Sequence, residues 1–131
     1  MEEKKKYSFD DLRGIMCTLR SEHGCPWDKR QTTESMIPYL EEETGEVIEA
    51  IHNADTENLC EELGDLLYQI MMFSQIAEEK EEFTIEDVVN GISEKMIRRH
   101  PNVFGNLQVN TWEDGMDLWN RIKTEEKSKK A

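Results

Sequence analysis

Long hydrophobic runs are missing: nothing in the 131 residues approaches the ~20 consecutive apolar positions of a bilayer-spanning helix, so no membrane partner is expected. Basic charge is scarce as well. Lysine and arginine total 16 against 29 aspartates and glutamates, a net charge of −13, which argues against nucleic acid as a partner, because such proteins gain affinity from a basic face. The three cysteines, Cys17, Cys25 and Cys60, form no CxxC pair. An odd count with no secretory leader predicts core or neutral thiols in a reducing compartment, the cytoplasm by default. The lysine-rich start, Lys4 to Lys6, leads into polar residues rather than an apolar signal core. HExxH, an EF-hand loop and a Walker P-loop are absent, and Glu49-x-x-His52 has the spacing of half a di-iron site without the second ExxH. Nothing alternates with period two over a useful length, so no sheet is predicted.

What is present is helical periodicity. With 37% hydrophobic residues, 34% charged residues and only three prolines, the chain reads as one all-α domain over 1–131, its core about 9–127 and its ends flexible. Five helical segments are predicted. The first follows Ser8, paired with Asp11 as a cap, and carries Leu12, Ile15, Met16 and Leu19 toward Gly24. After a loop, Gly24 to Asp28, the second starts near Thr33 to Met36 and runs through Ile51, with Pro38 tolerated in its first turn. A third spans about Glu57 to Glu79. Its middle, Leu66 to Phe73, is apolar almost all round and suits a bundle core or an oligomer interface. Thr84 with Asp87 caps a fourth, whose stripe is Ile85, Val88, Val89, Ile92 and Met96 and which Pro101 ends. Thr111 with Asp114 caps the last, and the tail from Lys127 is expected to fray.

The chemistry-bearing pattern is Glu42-Glu43-x-x-Glu46 on the second helix and Glu62-Leu63-Gly64-Asp65 on the third. Residues three apart share a helix face, so Glu43 with Glu46 and Glu62 with Asp65 form two carboxylate pairs, and a short turn makes their helices antiparallel neighbours. An isolated acidic pair is ordinarily a solvated surface. Two pairs on adjacent helices, beside a helix too apolar to be exposed, call for an offsetting cation. Oxygen-only ligands favour Mg²⁺ or Mn²⁺, and Mg²⁺ usually takes substrate phosphates as further ligands. Gly45 and Gly64, unfavourable inside helices, suggest close backbone approach.

A local group of cations, Lys95, Arg98, Arg99 and His100, closes the fourth helix. There it favours the macrodipole, and in so acidic a chain it also makes a clamp for a triphosphate. Trp119 and Lys123, one turn apart, offer an aromatic face and another cation. In Cys25-Pro26-Trp27-Asp28-Lys29 an aromatic beside an acid can stack on and hydrogen-bond a base.

Taken in series, Cys25-Pro26-Trp27-Asp28, Glu42-Glu43-x-x-Glu46, Glu62-Leu63-Gly64-Asp65 and Arg98-Arg99-His100-Pro101-Asn102-Val103-Phe104-Gly105 closely resemble the MazG family of nucleoside triphosphate pyrophosphohydrolases, over about Phe9 to Lys127. The resemblance implies an all-α fold whose core is completed by a second copy, hence a homodimer or higher homo-oligomer. It implies Mg²⁺-dependent conversion of a (deoxy)nucleoside triphosphate to monophosphate and pyrophosphate, in nucleotide-pool house-cleaning. Its metal ligands fall on Glu43, Glu46, Glu62 and Asp65, and its phosphate-binding cations on Lys95, Arg98 and Arg99, with Trp119 and Lys123 as a further pair. Some relatives carry two tandem copies where this chain has one, and some have a larger residue at the position of Gly45.

The expected mechanism has Glu43 or its neighbour Glu42 orienting or deprotonating a water, and the cations holding pyrophosphate. Attack at the α or the β phosphorus gives the same products. The rivals are a dUTP- or dCTP-specific pyrophosphatase and a non-catalytic helical interaction module; loss of the carboxylates would have favoured the latter, and all four are present.

Overall fold

The computed structural model describes residues 6–130, so Lys4 and Lys5 of the lysine-rich start lie outside the described residues. Among those residues there are seven helices and no strand. The chain divides into two compact units, Met1–Ile85 and Glu86–Ala131.

In the first unit α1 spans Phe9–Leu19 and opens on the expected capping box: Asp11 N–H donates to Ser8 Oγ at 3.1 Å, and Ser8 N–H to Asp11 Oδ2 at 2.8 Å. It stops at Leu19, short of Gly24, because the chain folds back and Cys25 N–H takes the Leu19 carbonyl at 2.9 Å. Glycine is required at 24, since a Cβ there would sit 2.2 Å from the Leu19 oxygen. The expected loop beyond it contains a short helix, α2 (Pro26–Arg30), begun by a proline whose missing N–H a first turn does not need.

Helix α3 spans Ile37–His52, with Pro38 in its first turn, and α4 spans Thr56–Glu79. Between them Ala54 adopts a left-handed φ of 52°. Asp55 N–H then reaches the Ala50 carbonyl and Ala54 N–H that of Ile51, a Schellman closure made without glycine. Asp55 also caps α4 by accepting from Asn58 N–H at 3.1 Å. Glu81, at φ 59°, closes the other end of α4 in the same way.

Helices α1 and α3 both pack on α4. Their core is rich in methionine: Met16, Met36, Met71 and Met72 are buried with Ile76 and Ile85. The apolar middle of α4 is buried in part; Met71 and Met72 are enclosed, while Ile70 is 39% exposed.

Helix α5 spans Ile85–Arg99, its first residue in the first unit and the rest in the second, which also holds α6 (Pro101–Phe104) and α7 (Trp112–Lys130). Pro101 ends α5 as expected but also starts the short α6, which periodicity over four residues cannot reveal. Thr111 Oγ accepts from Asp114 N–H at 3.1 Å beside the start of α7. That helix continues to Lys130, so the tail expected to fray from Lys127 is helical, and Leu118 is its buried anchor. Val88, Val89 and Ile92, the expected apolar stripe of α5, are exposed in the single chain. No helix among the described residues is long and apolar enough to cross a membrane.

Candidate active site

The 3/4 geometry of α3 puts Glu43 and Glu46 on one face, and α4 does the same for Glu62 and Asp65. The turn at Asn53 to Asp55 returns α4 along α3 and brings the pairs together. One carboxylate oxygen each from Glu43, Glu62 and Asp65 lie within 4.8 Å of one another. Glu46 joins them through Glu62, the largest cause of its raised pKa. Glu42 is exposed and outside this trio.

The cluster is electrostatically incomplete as it stands. Oε1 of Glu43 and Oε2 of Glu62 are buried with no hydrogen-bond partner, an arrangement that proteins rarely tolerate. Desolvation pushes the Glu43 carboxyl above its usual range, with Asp65 and Glu46 adding repulsion. Glu62 is pushed up chiefly by its contact with Glu43. Unpartnered oxygens, like charges in contact and a donor set made only of oxygen fit a hard divalent cation. Gly45 and Gly64 do not reflect close backbone approach within the chain. A Cβ at either would meet nothing within 4 Å, because both positions face outward from the α3–α4 pair.

Two of the predicted cations converge on a residue that the sequence reading missed. Arg98 Nε donates to Glu126 Oε2 at 2.6 Å, and Arg99 donates to Oε1 from Nη2 at 2.8 Å and from Nε at 3.2 Å. Arg98 and then Arg99 pull the Glu126 carboxyl down to about 2. Arg99 also lies over the half-buried Trp119, and His100 sits 5.3 Å from the same ring. Lys95 is half-buried, while Lys123 is exposed on α7. Glu126 lies 27 residues beyond Arg99, inside a run of charges that gives it no local signal.

In the first unit Trp27 is 43% exposed and meets Tyr39 edge-on, ring centroids 5.5 Å apart. Its neighbour Asp28 is only 7% exposed, and the Tyr68 hydroxyl donates to its carboxylate. Arg20, from the end of α1, donates to the Asp28 carbonyl at 2.6 Å and the Gln31 carbonyl at 3.0 Å, and forks onto Glu79. Nothing in local spacing marks Arg20, Tyr68 or Glu79 as partners of this segment.

A MazG nucleotide pyrophosphohydrolase domain model matches residues 31–104, a span holding both carboxylate pairs and the Arg98–Arg99 step. The chain is 48% identical over 122 residues to the nucleoside triphosphate pyrophosphohydrolase/pyrophosphatase MazG of Thermotoga maritima, covering 93% of this chain and 46% of that protein. It is 45% identical over 124 residues to the nucleoside triphosphate pyrophosphohydrolase of Escherichia coli K12, covering 94% and 47%. The chain thus spans just under half the length of these two relatives. The crystal structure of a mazG-related protein from Thermotoga maritima superposes with a TM-score of 0.71 at 28% identity, covering 88% of this chain and 98% of that one. With the family model matching over half of its length and both carboxylate pairs inside the matched span, the chain belongs to the MazG nucleotide pyrophosphohydrolase family.

Proposed function

We propose that the chain hydrolyses nucleoside triphosphates to the monophosphate and pyrophosphate, with Mg²⁺, or Mn²⁺ in its place, held by Glu43, Glu46, Glu62 and Asp65. The observation that carries this reading is the carboxylate cluster, whose buried Glu43 and Glu62 oxygens lack partners. The names of the relatives support the reaction class. The bound ion supplies charge neutralisation for the triphosphate.

Glu43, or the exposed Glu42 beside it, orients the attacking water and takes its proton. The water oxygen bonds to the α or the β phosphorus, the bond from that phosphorus to the oxygen bridging the two breaks, and monophosphate and pyrophosphate separate. Lys95, Arg98 and Arg99 bind the departing phosphates, Arg99 with Trp119 beneath it and Lys123 one turn further along α7. Trp27 offers its exposed face to the base.

The working unit proposed is a homodimer or higher homo-oligomer in the cytoplasm. Val88, Val89 and Ile92 on α5 are too apolar to face water together, and a second copy covers them. The test is pyrophosphate release from a panel of common and damaged nucleotides, with Mg²⁺ and with chelator, for the chain and for Glu43→Gln. Turnover that survives both chelator and Glu43→Gln sinks the reading.

A further inference from the structure

Asp28 is a buried carboxylate with no place in the phosphate chemistry, and its surroundings state what it does. It sits in the first turn of α2 beside Trp27, and its carboxylate is taken by the hydroxyl of Tyr68, three residues beyond Asp65 on α4. Residues three apart are neighbours on a helix surface, so Tyr68 stands beside Asp65 on α4. Arg20 completes the arrangement. Its side chain is only 8% exposed, and one guanidinium nitrogen, Nη1, serves the carbonyls of both Asp28 and Gln31. The Nε and Nη2 edge grips Glu79 at 2.8 and 2.9 Å on the far end of α4. Gln31 closes the loop on itself, its Nε2 donating to the Trp27 carbonyl at 2.9 Å.

A five-residue helix cannot hold its own conformation in water. Here α2 is fixed by a tyrosine and an arginine belonging to the helices that frame it. Burial and the Asp28 carboxylate both push the Tyr68 hydroxyl above its usual pKa, so it remains a donor. We infer that Tyr68, Asp28 and Arg20 are positioning residues: they latch α2 to the helix that carries Glu62 and Asp65, and so set the distance from Trp27 to the metal site. Asp28 Oδ1 is then engaged by the Tyr68 hydroxyl. The positioning role rests on the proposed reading of Trp27 as the base-facing residue.

The test pairs two readouts on the full chain. In Tyr68→Phe, a change that removes one hydroxyl, the amides of Lys29 and Gln31, which close α2, exchange with solvent about ten-fold faster, and α4 amides do not. KM for nucleoside triphosphates rises about ten-fold with kcat and Mg²⁺ dependence unchanged. In a Trp27→Ala background Tyr68→Phe adds nothing further to KM, because the residue being positioned is gone. Unchanged exchange in Tyr68→Phe overturns the latch. Faster exchange with an unchanged KM, or a KM effect that persists without Trp27, overturns its positioning role. An inactive wild-type chain defeats the pyrophosphohydrolase reading instead, and the exchange experiment tells the two failures apart.

Discussion

Arg99 stacks over Trp119, 5.0 Å from the ring centroid, while Glu126 grips two of its nitrogens from the side. A guanidinium held by both an aromatic face and a carboxylate loses little further freedom when it meets a phosphate. Glu126 also separates Arg99 from the repulsion of Arg98 by taking Arg98 Nε on its other oxygen.

The second unit should therefore loosen in acid. The folded-state pKa of Glu126 is lowered from 4.5 to about 2, so its contribution is complete above the unfolded value and is lost as pH falls from about 4.5 toward 2. Amide exchange within 112–130, followed against pH, should accelerate across that window, and Glu126→Gln should flatten the response. An identical pH profile in the variant rules the ion pairs out as its cause.

Metal and pH should act on the first unit in the opposite sense. Glu43, Glu46 and Glu62 have raised pKa values, so protonation favours the fold. Without metal, stability falls as pH climbs from the ordinary value of 4.5 toward the raised ones and stays lower at neutrality. Glu62→Gln should melt above wild type in chelator at neutral pH. Mg²⁺ should raise the Tm of wild type and leave the variant nearly unmoved. Equal melting of the two proteins in chelator would count against crowded charge at this site.

Turnover should track the same residues. Glu43→Gln and Asp65→Asn are expected to lower kcat by about 10²-fold or more, the usual scale for losing a proton acceptor or a charge-stabilising group. Circular dichroism spectra should remain helical, which separates lost chemistry from lost fold.

Arg20→Lys should lower stability by about 2 kcal/mol, because the ammonium cannot serve the Asp28 and Gln31 carbonyls and fork onto Glu79 together. Urea denaturation measures this. A midpoint within error of wild type would mean that the three partners are satisfied without the guanidinium.

The turn between α3 and α4 offers a gain instead. Ala54 sits at φ 52°, where a Cβ is strained by about 1 kcal/mol and glycine is not. Ala54→Gly should raise the Tm with turnover unchanged. A lower Tm would show that the entropy glycine adds to the unfolded chain outweighs the relieved strain.

How much was legible follows from the range of each interaction. The caps at Ser8 and Thr111, the five long helices that begin at Phe9, Ile37, Thr56, Ile85 and Trp112, and the two carboxylate pairs were all readable, because each depends on residues three or four apart. Helices α2 and α6 escaped, since five and four residues are too few to show a period. The Trp27-Asp28 pair suggests stacking on and hydrogen bonding to a base, and no local sign shows that Tyr68, forty residues on, takes the Asp28 carboxylate. Glycines 45 and 64 suggested close contact, and only the packing of α3 on α4 showed both facing open space.

The sequence by itself determined that this chain is helical and that two acidic pairs lie on neighbouring helix faces, since 3.6-residue periodicity and a short antiparallel turn leave no other outcome. Tertiary structure alone decided which oxygens are buried without partners, which acid Arg98 and Arg99 share, and that Asp28 is latched to Tyr68. Those contacts join residues 27 to 40 positions apart, and their existence depends on how packed helices bring distant side chains within hydrogen-bond reach, which no local pattern encodes.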